Sequence, residues 1–81
     1  MNFEPTRNQL AVVLPATCRK AEVTFQKRFD AGDEVRLTLA PCRLSRQVIP
    51  TGQLSTGLWH VILNWWDGKS HYWREQDIMV Q

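Results

Sequence analysis

The sequence predicts a small all-β domain. Three observations carry that reading. Apolar and polar residues alternate at period two in several segments. Clusters of Gly, Pro, Asp and Thr break the chain at intervals of about 8–12 residues. No stretch has helical periodicity. About six or seven short antiparallel strands in a chain of 81 residues fit a β-sandwich or a small barrel, one domain over residues 1–81.

The elements follow in chain order. Residues 10–14 (LAVVL) form a continuous apolar run ending at Pro15, which reads as a buried strand. The turn-like Glu4-Pro5-Thr6-Arg7-Asn8 precedes it, so residues 1–4 are expected as a short strand folded back onto it. Residues 21–28 set Ala21, Val23 and Phe25 against Glu22, Thr24 and Gln26. Residues 34–40 set Val35, Leu37 and Leu39 against Arg36 and Thr38. Successive strand side chains point to opposite faces, so each segment has one buried and one wet face. Asp30-Ala31-Gly32-Asp33 between them is a turn signal, and the pair is expected as a hairpin. Residues 46–50 read as a short extended piece, and Thr51-Gly52 and Thr56-Gly57 break the chain after it.

The last third is the most informative. Residues 58–66 place Trp59, Val61, Leu63 and Trp65 on one face and His60, Ile62, Asn64 and Trp66 on the other. Asp67-Gly68 is a strong signal for a two-residue hairpin loop, and the return strand runs from Lys69 to about Val80. That loop pairs Trp66 with Lys69, Asn64 with His71, Leu63 with Tyr72, Ile62 with Trp73 and His60 with Glu75. The expected core face then holds Trp59, Val61, Leu63, Trp65, Tyr72, Ile78 and Val80. The opposite face mixes Ile62, Trp66 and Trp73 with His60, Asn64, Lys69, His71 and Glu75.

A chain of this length buries only about 60% of its unfolded surface. Its four Trp, three Phe and one Tyr are therefore expected first as core material. The half-apolar face of the terminal hairpin has three readings. It is covered by a second layer or by the domain's own loops. It is an exposed Ile62/Trp66/Trp73 patch that docks a partner, with Lys69 and His71 as a polar rim. Or it is a platform for stacking sugars or bases.

The net charge of +2, with both signs scattered, is too weak and too mixed to argue for nucleic acid. There is no apolar run of about 18 residues, so no membrane-spanning helix is expected within the chain. Residues 1–5 have neither the basic nor the apolar region of a signal peptide. No nucleophile motif, metalloprotease motif, P-loop or dinucleotide fingerprint is present, and no catalytic residue is expected. His60 and His71 lie about four residue steps apart on one face. At about 3.4 Å per step they are too distant to share a metal ion. His60 opposite Glu75 reads as a surface charge pair. Cys18 and Cys42 lack CxxC spacing. They stand as unpaired half-buried thiols, as one disulfide, or as ligands for copper or zinc. The strand register places them near the open end of the first long hairpin, within reach of a cross-link.

The ordered set of segments resembles the soluble domain of the FixH family, membrane-anchored accessory proteins of cytochrome oxidase maturation. The resemblance runs through residues 9–15 (QLAVVLP), 21–28 (AEVTFQKR) with Asp30-Ala31, and 47–50 (QVIP). Its most telling part is Gly57-Leu58-Trp59-His60-Val61, Asn64-Trp65, Asp67-Gly68-Lys69 and Tyr72. The family often carries Arg-Pro-Ser before the Asp-Ala turn, where this chain has Lys27-Arg28-Phe29. The resemblance implies an immunoglobulin-like β-sandwich on the periplasmic face of the inner membrane. It implies a membrane anchor outside this chain and a non-catalytic role, without cofactor, in assembly or stabilisation of a cbb-type haem–copper oxidase. An oxidising periplasm would permit a Cys18–Cys42 disulfide.

The expected function is therefore an interaction domain for a membrane oxidase or its assembly factors. A homodimer through the same face is a further expectation. Two alternatives come from other classes: copper or zinc binding at Cys18 and Cys42, and an OB-like module for single-stranded nucleic acid.

Overall fold

The computed structural model describes residues 1–28, 34–39 and 46–80. The turn expected at Asp30-Ala31-Gly32-Asp33 and the thiol of Cys42 lie outside the described residues.

Seven strands are present among them: β1 (Asn2–Glu4), β2 (Gln9–Val13), β3 (Lys20–Lys27), β4 (Glu34–Leu39), β5 (Arg46–Pro50), β6 (Gly57–Trp66) and β7 (His71–Val80). They form two antiparallel sheets, a three-stranded one in the order β1-β2-β5 and a four-stranded one in the order β4-β3-β6-β7. Strand β2 lies beside β5 and β3 beside β6, so each sheet joins strands distant in sequence as well as consecutive ones. The two antiparallel sheets make a small all-β sandwich.

Alternation explains what the sheets bury. Ala21, Val23 and Phe25 of β3, Trp59, Val61 and Leu63 of β6, and Ile78 and Val80 of β7 line the inner face of the larger sheet. They meet Leu10 and Val12 of β2 and Ile49 of β5, and Leu54 closes one end. The apolar run of residues 10–14 is not buried throughout. Val13 points outward and is 69% exposed, because β2 keeps strand alternation at its end.

The turn before β2 is a single 3₁₀ turn over Pro5–Arg7, which ends at Asn8 in the left-handed region (φ 52°). Asn8 then accepts a 2.8 Å bond at its carbonyl from the Thr51 N–H, tying this turn to the chain after β5. The hydroxyl of Thr51 is buried and has no hydrogen-bond partner among the described residues.

The three-stranded sheet covers only part of the larger one. Along the inner face of β7, Ile78 and Val80 are buried, whereas Tyr72 is 41% exposed and Arg74 is exposed. The β6–β7 hairpin therefore overhangs its partner sheet at the end that carries its loop. Tyr72 is correctly placed on the core-side face by sequence, but it is not core. Trp65 beside it is only half-buried.

Candidate functional site

The overhanging tip of β6–β7 is where the unusual side chains collect. Its loop is longer than the Asp-Gly signal predicts. Trp66 pairs with His71, not with Lys69, so residues 67–70 form a four-residue connection. A two-residue type I′ loop needs positive φ at both central positions. Here Gly68 has φ 96°, and Asn8 is the sole non-glycine with positive φ among the described residues.

Asp67 supplies the reason for the longer loop. Its Oδ1 accepts hydrogen bonds from the backbone N–H groups of Lys69 (2.8 Å) and Ser70 (2.7 Å), and its Oδ2 accepts one from the Tyr72 hydroxyl at 3.2 Å. A short acidic side chain that holds amides two and three residues on is a turn in itself. The two backbone bonds hold the Asp67 carboxyl below the ordinary aspartate range, with the Tyr72 bond adding to them.

The register is displaced by two residues from the sequence expectation. Asn64 faces Trp73, Leu63 faces Arg74, Trp65 faces Tyr72, Ile62 faces Glu75 and His60 faces Asp77. Because strand side chains repeat every two residues, each stays on its expected face while its cross-strand neighbour changes.

Three changes at the candidate site follow. Lys69 leaves the strand and sits exposed in the loop. His71, expected at the rim, stacks on Trp66 with ring centroids 4.7 Å apart and lies 6.0 Å from the Trp73 ring. Its Nε2 pairs with Asn64 Oδ1 at 2.8 Å. Trp73 no longer stands opposite Ile62. The outer-face cluster is therefore Trp66–His71–Trp73, with half-buried Ile62 one row behind. Trp73 is 57% exposed and Trp66 is half-buried. Open grooves of about 290 Å³ beside His71–Arg74 and about 280 Å³ between Trp66 and the loop flank the cluster.

The tip carries a second aromatic group on its other face. Trp65 and Tyr72 stack at 5.5 Å, and the Arg74 guanidinium lies 5.6 Å from the Trp65 ring centre. The start of β3 and the residue before it add cations. Lys20 Nζ stands 5.1 Å over the Trp66 ring, and the Arg19 side chain lies against Gly68. Sequence reading placed Asn64 on this face but missed Arg19, Lys20 and Arg74 as members of the site. The signal for the first two was the pairing of β3 with β6, which sets Lys20 across from Trp66.

The remaining candidates stand elsewhere. His60 Nδ1 lies 2.7 Å from Asp77 Oδ1, and its Nε2 lies 3.9 Å from Glu75 Oε2. The expected His60–Glu75 pair is thus the secondary contact, and Asp77 is the direct partner. The hydrogen bond from His60, reinforced by the charge of Arg28, holds the Asp77 carboxyl below its ordinary range. Cys18 is half-buried with its Sγ 3.5 Å from the Lys20 carbonyl, and burial pushes its thiol pKa up. Among the described residues no group of three or more His, Cys, Asp or Glu side chains is placed to hold a metal.

The tip combines exposed rings with the exposed cations Arg19, Lys20, Lys69 and Arg74. It can adsorb an apolar or anionic surface; no nucleophile, base and orienting group come together there. No family model, curated protein or solved structure matches this chain.

Proposed function

We propose that this chain is a non-catalytic interaction domain that docks through the Trp66–His71–Trp73 cluster. The observation that carries the reading is Trp73. A Trp 57% exposed, next to a second Trp on a sheet face, leaves apolar surface in water that a partner would cover. Desolvated Trp side chains commonly supply a large share of interface energy. Ile62 extends the patch, and Lys69 stands at its edge in the loop.

The partner class rests on the ordered motif, Gly57-Leu58-Trp59-His60-Val61 through Asp67-Gly68-Lys69 and Tyr72, which resembles the FixH family. On that reading the domain faces the periplasm, is held at the inner membrane by an anchor outside this chain, and supports assembly or stability of a cbb-type haem–copper oxidase. The test is affinity capture of a purified, detergent-solubilised cbb-type oxidase by the immobilised chain. Capture that is lost with Trp66→Ala/Trp73→Ala supports the proposal. No capture by the wild-type chain refutes the partner class. Capture unchanged in the double variant refutes the docking face.

A further inference from the structure

Rings lie on both faces of one hairpin end, and that constrains what can cover them. A partner protein laid on the sheet would cover Trp66, His71 and Trp73, but not Trp65 and Tyr72 on the opposite side. The overhang beyond the three-stranded sheet leaves that second side partly open, with Tyr72 41% exposed and Arg74 exposed, while Trp65 beneath them packs against the core. An occupant that meets both faces must surround the tip.

Among the described residues, basic side chains outnumber acidic ones around the rings. Arg19 lies against Gly68, Lys20 stands over Trp66, Arg74 stands over Trp65, and Lys69 is exposed in the loop. The one acid of the loop, Asp67, is tied internally to two backbone amides and Tyr72. Glu22 lies in the row of Trp73 through Asn64, and Glu75 follows Trp73 by two residues on the same face, so the excess of positive charge is greatest at the loop end of the tip. Trp and Tyr favour the headgroup level of a bilayer, and basic side chains near an anionic surface add electrostatic attraction.

We propose that the β6–β7 tip inserts into the headgroup layer of an anionic phospholipid membrane. Trp66, Tyr72 and Trp73 would enter the layer, while Arg19, Lys20, Lys69 and Arg74 meet the phosphates. The inference shares Trp66 and Trp73 with the docking proposal and adds Tyr72 and Arg74 on the opposite face, which protein docking does not need.

The test is sedimentation of the full chain with phosphatidylglycerol/phosphatidylcholine vesicles and with phosphatidylcholine vesicles alone. Two charge-reversed variants, Arg74→Glu at the tip and Arg36→Glu on β4, carry the same change in net charge. Arg36 is an exposed residue that pairs with Glu34 on its own strand. Binding to the anionic vesicles at least fivefold above neutral ones is expected, weakened by salt, as surface attraction is. Arg74→Glu should reduce it at least fivefold more than Arg36→Glu does. Tyr72→Ala should also reduce it, with thermal melts confirming that each variant is folded. Absence of binding to anionic vesicles overturns the proposal, and so does equal loss with both charge reversals, which would mean attraction by net charge alone. Capture of the oxidase by Tyr72→Ala, undiminished, would leave the docking proposal standing independently.

Discussion

Trp66 and His71 face each other across the β6–β7 hairpin with their rings stacked 4.7 Å apart and nearly parallel, at 17°. The contact joins the two strands just before the loop and brings Trp73 into the same cluster through His71. It depends on the four-residue loop. A two-residue loop would set Trp66 against Lys69 and His71 against Asn64.

The tip residues and the buried Trp should separate cleanly on mutation. Aromatic pairs contribute about 0.5–1.5 kcal/mol beyond their burial. Trp66→Ala/Trp73→Ala should therefore lower the melting temperature modestly and leave the far-UV circular dichroism of the sandwich intact. Trp59 is 3% exposed, and its Nε1 donates to the Ser55 carbonyl at 2.9 Å. Trp59→Ala should cost about 3–5 kcal/mol, enough to unfold much of so small a domain. Chemical denaturation of both variants checks this.

Asp67 should matter through its charge. Its folded pKa is depressed below the ordinary value of 3.8 by bonds from the Lys69 and Ser70 amides. Its contribution to stability is therefore full above that value and is lost as pH falls through the depressed folded pKa. The melting temperature of wild type should exceed that of Asp67→Ala at pH 7, and the gap should narrow progressively below pH about 4. A gap constant down to pH 2 would contradict the assignment.

Gly68 should resist a side chain. At φ 96° an L residue is strained, and an added Cβ would come within 3.2 Å of Arg19. The Arg19 guanidinium can move aside, so the backbone term dominates. Gly68→Ala should cost about 1–2 kcal/mol, read from urea denaturation midpoints at unchanged m-value.

Thr51 offers a stabilising change. Its buried hydroxyl has no partner among the described residues, and leaving a polar group unpaired costs about 1–3 kcal/mol. Thr51→Val keeps the shape and the backbone bond to Asn8. It should raise stability by about 1 kcal/mol, which in a domain of this size is a rise in melting temperature of roughly 4–8 °C.

These elements also show what the sequence made legible. Period-two alternation identified the strands and the inner face of β3, β4 and β6, because parity is a local property. It even survived the mistaken loop, since a shift of two residues preserves faces. The loop length was not legible from Asp67-Gly68 alone, because the Asp67 carboxylate competes with the type I′ turn by capping Lys69 and Ser70. The exposure of Tyr72 was hidden for a different reason. It depends on how far a separate sheet extends over β7, which no pattern within β7 records. Lys20 and Arg19 join the tip only through the pairing of β3 with β6, a contact between segments far apart in the chain.

The claim that the tip is a docking surface is most directly tested by titrating purified cbb-type oxidase with the chain and with its Trp66→Ala/Trp73→Ala variant, both shown to be folded by circular dichroism. The account predicts saturable binding by wild type and at least a tenfold weaker affinity for the variant. Equal affinities of the two folded proteins would contradict the assignment of Trp66 and Trp73 to a partner.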